Sequence, residues 1–474
     1  MDCFPLGLHH VTRRPTSAPH IGGLEGRELE KTIRIRGLIF DLMMDKLAAL
    51  ENQGKKLDIE DERVFVQREA MTLFHEVSRS QGIALSEKAG RAVVNELVNE
   101  IAGFGPITPL LYDPQVSEVM VNGPWQIYAE KKGKLTLTDS YFRDDSHAMR
   151  IINKIVSPLG RRCDVSSPIV DARLPDGSRV NAAIPPVALC GPTITIRKFS
   201  KKPIGMDKLV GFGTLTAEMS AFLHACVLLR LNMVISGGTG SGKTTTLNAI
   251  SSFIPEDERI ITVDDAAELQ LQQDHVVGLE SRPPNVEGAG AITIRDLVKN
   301  TLRMRPERII VGECRAGETL DMLQAMNTGH DGSLTSGHAN TPRDMIARLE
   351  TMVMMAGMEL PSKSIREQIA SAVNLIVQQS RLHDGKRKIT YISEVAGIDG
   401  DEVKLVDLFR FYQHGVDDDG HIFGESRATG NLPSFLLRFK YEKIPLPDGI
   451  FGIPKTMDEL FAEAEEKRGN DPLG

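Results

Sequence analysis

The sequence predicts an α/β protein whose C-terminal domain has a parallel β-sheet at its core, preceded by a mixed α+β domain and a helical bundle. Residues 217–410 alternate apolar strand segments with helical segments, a pattern typical of a parallel sheet with crossover helices. Residues 105–199 contain short strand segments separated by turn signals. Residues 29–104 carry apolar positions at helical spacing, which predicts the bundle.

Within the bundle, Ser86 is placed to cap a helix with an apolar stripe at every fourth position, formed by Ala89, Val93, Leu97 and Ile101. We expect residues 1–28 to be disordered, because Pro, Gly, His and Arg occur there without periodicity. Residues 200–216 contain Pro203 and three glycines and are expected to form a linker. Residues 411–474 are expected to form a C-terminal extension.

The composition is that of an ordinary soluble protein, with 474 residues, 41% hydrophobic and 25% charged residues. A net charge of −8 and an aromatic content of 5% argue against direct nucleic-acid binding. The five cysteines are dispersed without a C-x-x-C pair, so we expect reduced thiols in the cytoplasm and no zinc site. No apolar run approaches the roughly 20 residues of a membrane-spanning helix, so a cytoplasmic protein is expected.

Residues 237–244 read Gly-Gly-Thr-Gly-Ser-Gly-Lys-Thr and fit the phosphate-binding pattern G-x-x-x-x-G-K-[ST]. An apolar run precedes them and a helical run follows, which is the context that such a loop requires. Glycines allow backbone N–H groups to converge on phosphate oxygens, and the helix N-terminus adds partial positive charge. The predicted nucleotide-binding residues are Gly237, Gly238, Thr239, Gly240, Ser241, Gly242, Lys243, Thr244 and Thr245.

Within this loop, we expect Lys243 to reach the β- and γ-phosphates and Thr244 to hold Mg²⁺. The loop alone does not distinguish ATP from GTP. It predicts a nucleotide-binding protein that uses Mg²⁺.

Two further apolar strands end in carboxylates. One strand precedes Asp264 and Asp265, and residues 308–312 precede Glu313. Carboxylates at such strand ends hold hydrated Mg²⁺ or polarise the attacking water. A lone carboxylate is more often a helix cap or a solvated charge, but two clusters downstream of a phosphate loop favour the catalytic interpretation. Because Gly-Glu replaces the expected Asp, we predict that Glu313 contacts Mg²⁺ through a water molecule.

Two histidines, His330 and His338, flank a short strand. His338 follows the strand and is predicted to sense the γ-phosphate, whereas His330 is assigned a structural or switch role. A single arginine is most often a surface residue. Arg197 ends the last strand before the linker and is the candidate to reach the phosphate loop from the other domain, with Arg173 and Arg179 as alternatives.

Together these segments resemble the secretion ATPase superfamily of type II secretion, type IV secretion and type IV pili. Residues 261–271 resemble its Asp box, residues 308–317 its atypical Walker B motif and residues 329–340 its His box. Within the superfamily the chain is most similar to CpaF-type ATPases of tight-adherence (Tad/Flp) pili. This similarity is carried by residues 104–110, 118–123, 170–181, 191–199, 281–288 and 428–430.

The resemblance implies a homohexameric ring in which each nucleotide lies between an N-terminal domain and a RecA-like C-terminal domain. It implies ATP hydrolysis that drives Tad pilus assembly through inner-membrane platform proteins, and it leaves open whether the motor also retracts the pilus. The ring is then expected at the inner face of the cytoplasmic membrane. Two departures stand out: Asp264 occupies a position where the family often has Glu, and the four-cysteine zinc module of type II secretion ATPases is absent.

Two other functions remain open from the sequence. One is a conjugation-type (VirB-like) type IV secretion ATPase that moves protein or DNA. The other is a nucleotide-gated regulatory scaffold that binds ATP with little turnover.

We predict that Lys243→Ala abolishes nucleotide binding or lowers turnover by about 100-fold or more, because the phosphate loses its charge partner. Nucleotide binding and phosphate release by the purified variant measure this effect. Turnover at the wild-type rate would remove the phosphate-loop assignment.

Overall fold

The computed structural model divides the chain into two compact units, Met1–Phe199 and Ser200–Gly474, which are taken separately below. The residues that it describes are 26–54, 59–131, 133–199, 204–266, 268–284 and 288–469. The segment predicted to be disordered lies outside these residues, apart from its last three positions. Among the described helices, none is both long and apolar enough to cross a membrane.

The helices of the first unit are α1 (Gly26–Asn52), α2 (Ile59–Ser80), α3 (Glu87–Ile101), α4 (Thr108–Tyr112) and α5 (Asp145–Val156). Helices α1 to α3 pack around a shared apolar core that includes Ile39, Ala70 and Val94. Ser86 caps α3 by accepting a hydrogen bond of 3.2 Å from the backbone N–H of Ala89, and the predicted apolar stripe of this helix is buried. The cap and the stripe are therefore confirmed.

The strands of the first unit are β1 (Val116–Asn122), β2 (Ile127–Lys131), β3 (Lys134–Leu137), β4 (Ile169–Arg173), β5 (Arg179–Ala183) and β6 (Thr193–Arg197). They form one antiparallel sheet in the order β3-β2-β1-β6-β5-β4. Ile151 and Ile155 of α5 lie in the same apolar core as the inward side chains of this sheet. The mixed α+β character expected for this segment is present.

The strands of the second unit are β7 (Met233–Gly237), β8 (Ile260–Asp264), β9 (Val276–Glu280), β10 (Arg308–Val311), β11 (Leu334–Gly337), β12 (Leu375–Arg381), β13 (Arg387–Asp399), β14 (Glu402–Val416) and β15 (Ile422–Ala428). They form a nine-stranded sheet in the order β15-β14-β13-β12-β7-β11-β10-β8-β9. The pairs from β12 to β9 are parallel, and β13 to β15 join as antiparallel strands. The predicted α/β class with a parallel core is confirmed.

The helices of the second unit are α6 (Met206–Gly211), α7 (Ala217–Leu228), α8 (Lys243–Ser251), α9 (Ile294–Thr301), α10 (Glu318–Asn327), α11 (Pro342–Met354), α12 (Ser362–Ala372), α13 (Leu436–Tyr441) and α14 (Met457–Gly469). The sheet has an apolar core on each face, because successive side chains of a strand point to opposite sides. Ile235 lies in one of these cores and Val234 in the other. Burial on both faces explains why the parallel strands are almost entirely apolar.

Two boundaries differ from the prediction. The expected linker, residues 200–216, contains helix α6, because Met206 and Leu209 share one face and are buried in the core of the second unit. The expected extension, residues 411–474, begins inside β14, and β15 continues the same sheet. Phe451 of this segment packs in the same core, so the C-terminal residues are part of the second unit.

A buried ion pair ties together the N-terminal ends of the parallel strands. Arg308, at the start of β10, donates to both carboxylate oxygens of Glu258 at 2.5 and 3.1 Å and to the carbonyl of Val227 at 3.0 Å. Gly332 precedes β11, and a Cβ at that position would lie 1.7 Å from Nη1 of Arg308. The guanidinium group of Arg308 therefore fills the space that a side chain at position 332 would need, and only glycine fits there.

We predict that Arg308→Met lowers the free energy of unfolding by about 3 kcal/mol, because it leaves the buried Glu258 carboxylate without its main partner. Urea denaturation followed by circular dichroism measures the loss. The double variant Arg308→Met, Glu258→Gln should recover part of it, since the uncompensated charge is removed. A single variant as stable as the wild type would show that the ion pair does not hold the strands.

Candidate nucleotide-binding site

The loop between β7 and α8 has the shape of an anion site. Gly240 and Gly242 adopt positive φ angles of 71° and 100°, a conformation that favours glycine. A Cβ on Gly237 would lie 2.3 Å from the carbonyl oxygen of Gln379 in the neighbouring strand β12. Helix α8 begins at Lys243, so its free N–H groups and its dipole face the loop. This geometry is compatible with phosphate oxygens in the loop, and phosphate binding stays a prediction.

The other predicted loop residues line the same turn. Thr239 is exposed, whereas Ser241 is buried and donates from Oγ to the carbonyl of Gly238 at 2.9 Å. Thr244 and Thr245 lie half-buried in the first turn of α8. Their hydroxyl groups are at the end of the helix where a phosphate-bound Mg²⁺ is usually held.

Lys243 is buried and folds over the loop. Its Nζ donates to the carbonyl of Gly238 at 3.2 Å and lies 3.3 Å from Nδ1 of His338. Burial lowers the pKa of Lys243, and the nearby carboxylate of Glu313 acts in the opposite direction. Glu313 balances the charge of this ammonium group only in part, and an anion bound in the loop would supply further negative charge.

Asp264 lies at the end of β8 and is largely buried. Its Oδ2 accepts hydrogen bonds from the backbone N–H groups of Glu268 at 2.6 Å and Leu269 at 3.2 Å. Burial raises the pKa of Asp264, while hydrogen bonds from the loop backbone act in the opposite direction. A Cβ on Gly312 would lie 2.7 Å from Oδ1 of Asp264, so this carboxylate packs directly beside the residue that precedes Glu313.

Glu313 is held by an ion-pair network at the end of β10. Its Oε2 accepts from Nε and Nη2 of Arg315 at 2.8 and 2.6 Å, and Nη1 of Arg315 donates to Asp265 at 3.1 Å. Its Oε1 lies 2.8 Å from Nε2 of His338. No partner among the described residues makes a hydrogen bond of good geometry with Oε1, although this atom is buried. One carboxylate oxygen is thus fixed by Arg315 and the other is left to bind a ligand or a water.

The two histidines lie at opposite ends of the short strand β11. His338 follows the strand and lies beside Lys243 and Glu313, and its role as a sensor of the γ-phosphate stays a prediction. Partial desolvation and the charge of Lys243 lower the pKa of His338, and the carboxylate of Glu313 opposes this shift. His330 precedes the strand, and its carbonyl accepts a hydrogen bond from Ser333 at 2.7 Å. Only His338 is therefore placed with the loop and the carboxylates.

Strands β12 and β13 contribute two residues that the sequence did not predict. Gln379 is buried and accepts a hydrogen bond of 2.7 Å from the hydroxyl of Thr246 in α8. Arg387 donates from Nε to the carbonyl of Gly240 at 3.0 Å, although 147 positions separate the two residues. No local pattern could have indicated these contacts. The contact of Arg315 with Glu313, by contrast, could have been inferred from the sequence, because Arg315 follows Glu313 by two residues.

The predicted arginines of the first unit form one cross-strand row. Arg173 lies opposite Arg179, and Arg179 lies opposite Arg197. Arg197 is exposed and donates from Nε to Glu118 at 2.9 Å. The structure therefore brings the three candidate arginines together on one sheet.

Several proteins with similar sequences are named as secretion or conjugal transfer proteins. The family of type II/IV secretion system proteins matches residues 100–391. A putative conjugal transfer protein of Mycobacterium tuberculosis is 34% identical over 342 residues, which cover 70% of this chain and 96% of that protein. The conjugal transfer protein TrbB of Rhizobium radiobacter is 33% identical over 316 residues, which cover 66% of this chain and 92% of that protein. The crystal structure of the VirB11 ATPase of Brucella suis is 30% identical, covers 61% of this chain and 92% of its own, and has a TM-score of 0.34.

We predict that His338 titrates below the ordinary histidine value of 6.5, because burial and Lys243 both disfavour the imidazolium. Lys243→Met should raise the pKa of His338, since it removes a neighbouring positive charge, and Glu313→Gln should lower it further. Nuclear magnetic resonance titration of ¹³C-labelled histidine measures the change, with His338→Gln to identify the resonance. A pKa that does not respond to either substitution would contradict the contacts described above.

Proposed function

Because the chain belongs to the type II/IV secretion system protein family of ATPases, we propose that it is a type IV secretion motor that hydrolyses ATP with Mg²⁺. The observation that carries the proposal is that one edge of the parallel sheet collects the loop lysine, a carboxylate and a histidine. His338 lies 3.3 Å from Nζ of Lys243 and 2.8 Å from Glu313. A lysine that binds phosphate and a carboxylate that orients water are groups that phosphoryl transfer to water uses, and His338 contacts both.

The loop residues bind the phosphates in this proposal. Backbone N–H groups of residues 237–245 surround the β-phosphate, and Lys243 leaves the carbonyl of Gly238 to bind phosphate oxygens. The exchange is favourable because a charged acceptor replaces a neutral carbonyl beside a buried ammonium group. The negative charge of the phosphate group thus offsets the burial that lowers the pKa of Lys243 in the free protein.

The residues also fit Mg²⁺, which keeps several waters and binds through one or two protein oxygens together with phosphates. Thr244 supplies a hydroxyl in the first turn of α8, and Glu313 supplies the buried Oε1 that has no hydrogen-bond partner in the described part of the chain. When bound, the ion neutralises charge on the phosphates. In our proposal Thr244 is a direct ligand and Glu313 acts through a water molecule.

Glu313 orients the attacking water. Arg315 holds one oxygen of its carboxylate with two hydrogen bonds, so the other oxygen points in a fixed direction. His338 is the group that senses the γ-phosphate, because it contacts both Lys243 and Glu313. The catalytic role expected for Asp264 stays a prediction; its bonds to the loop backbone favour a positioning role.

Arg197 supplies positive charge from the first unit, with Arg173 and Arg179 beside it in the same row. Guanidinium groups stabilise the charge that develops on a transferred phosphoryl group. This role stays a prediction, because it requires that a guanidinium group of the first unit reaches the phosphate loop. We propose a homohexameric ring that works against membrane platform proteins from the cytoplasmic side.

The relatives favour a conjugation-type secretion motor over the pilus motor that the sequence suggested. Two conjugal transfer proteins are at least 33% identical to this chain, and the alignment covers more than nine-tenths of each. The Tad pilus motor remains a second candidate, because residues 170–181 and 191–199 resemble CpaF-type ATPases. Deletion of the gene in its host, followed by assays of conjugation, protein secretion and surface pili, separates the two.

We predict that Glu313→Gln leaves ATP binding unchanged and slows hydrolysis by about 100-fold or more, because an amide polarises the attacking water poorly. Calorimetry measures ATP binding, and steady-state phosphate release by assembled protein measures turnover. Glu307→Gln, which changes an exposed carboxylate of the same unit, is the matched control and should behave as the wild type. Lost ATP binding in Glu313→Gln would make the residue structural, and no phosphate release by the wild type would favour a regulatory scaffold.

A further inference from the structure

The hairpin of β12 and β13 lies on the side of β7 opposite to the catalytic candidates. In the sheet, β12 borders β7 on one side, whereas β11 and β10, which lead to His338 and Glu313, lie on the other. Gln379 of β12 pairs with Gly237, so the two following residues of β12 continue past the start of the phosphate loop. Arg381 ends β12 and is the cross-strand partner of Arg387 in β13. The topology therefore places two arginines beside the loop, on its second side.

Both arginines approach the loop closely. Nε of Arg387 donates to the carbonyl of Gly240 at 3.0 Å, and its Cδ lies 3.2 Å from the position of a Cβ on Gly242. Nη1 of Arg381 lies 3.6 Å from the position of a Cβ on Gly240. A Cβ on Gly242 would crowd Arg387, whereas a Cβ on Gly240 would lie at ordinary van der Waals distance from Arg381. The guanidinium groups and the apex of the loop thus form one surface.

The charges of the two arginines are not balanced by an acidic side chain in the part of the chain that the structure describes. Asp384, in the turn of the hairpin, pairs with Lys386 at 3.4 Å instead. Like charges on directly opposed strand positions destabilise a sheet. Arg387 uses only Nε in its bond to Gly240, and both side chains are exposed. Their remaining N–H groups are free to bind an anion.

We propose that Arg381 and Arg387 bind the phosphate groups that ADP and ATP have in common, from the side of the loop opposite to Glu313 and His338. This inference rests on the proposed ATP site. It divides the site into two parts: β10 and β11 carry the groups for the γ-phosphate, and the hairpin carries groups that hold the nucleotide before and after hydrolysis. The arginine pair then sets the affinity for ADP, and with it the rate of product release.

Arg381→Ala is the informative variant, because no bond of this side chain to the described residues is lost with it. We expect it to weaken ADP binding by about tenfold, which corresponds to one charge-assisted hydrogen bond. The change in kcat should be smaller than the change in ADP affinity, because Arg381 lies on the side of the loop opposite to Glu313 and His338. Arg381→Glu should weaken ADP binding further. Calorimetry with the full-length protein measures these constants.

Pyrophosphate is the second probe, because it contains the phosphates without the base and the ribose. We expect pyrophosphate to compete with ADP less well in Arg381→Ala than in the wild type, and the affinity of this variant for ADP itself to fall. If ADP binding falls while pyrophosphate competes as before, the arginine contacts the nucleoside and the phosphate assignment is overturned. Arg427→Ala, which removes an exposed arginine of β15 in the same sheet, is the matched control and should bind ADP as the wild type.

Failure of this inference is distinct from failure of the proposed function. If the wild type binds ADP, Lys243→Ala abolishes that binding and Arg381→Ala leaves it unchanged, the arginine pair has no role and the ATP site stands. If the wild type binds neither ADP nor pyrophosphate, the ATP site itself is wrong. A loss of kcat by about 100-fold with unchanged ADP affinity would place Arg381 in catalysis and overturn the division of the site.

Discussion

Parallel pairing of β7 with β11 on one side and β12 on the other is the constraint on which the site depends. Gly337 pairs with Ser236, and Gln379 pairs with Gly237, so β7 and β11 end within one residue of each other and β12 continues for two residues more. Because parallel strands present their carboxyl ends at one edge, the residues that follow them meet there. A register shift of one residue would turn each strand's side chains to the opposite face. The burial of both faces prevents such a shift.

Two glycines allow neighbouring groups to approach closely at this edge of the sheet. A Cβ on Gly237 would lie 2.3 Å from the carbonyl of Gln379, and a Cβ on Gly312 would lie 2.7 Å from Asp264. Neither position can take a larger residue without displacement of the neighbouring strand or carboxylate. The approach at Gly237 brings β12 against the phosphate loop, and the approach at Gly312 brings Asp264 beside Glu313. The glycines at these two positions therefore allow both the close packing of the sheet edge and the arrangement of the site.

The electrostatics of the edge prepare it for a charged ligand. Burial lowers the pKa of Lys243 and raises that of Asp264, so burial disfavours the charged form of both groups. Arg315 offsets the charge of Glu313 and Asp265, which leaves Lys243 and His338 with incomplete partners. A phosphate bound to Lys243 restores the missing opposite charge in a site of low dielectric constant. In our proposal, binding energy is therefore available at the site of hydrolysis.

The phosphate loop, the α/β class and the strand-end residues Asp264, Glu313 and His338 were accessible from the sequence, because each depends on contiguous residues or on a local period. Helix α6 was not predicted, because its apolar face is short and a proline and glycines surround it in the sequence. Strand β15 was not predicted, because it is recognised only by its pairing with β14. The bridge from Arg315 to Asp265 and the position of Arg381 and Arg387 were decided by the tertiary structure alone. The local sequence pattern specifies which segments form buried strands, whereas strand order decides which distant side chains lie at the same edge of the sheet.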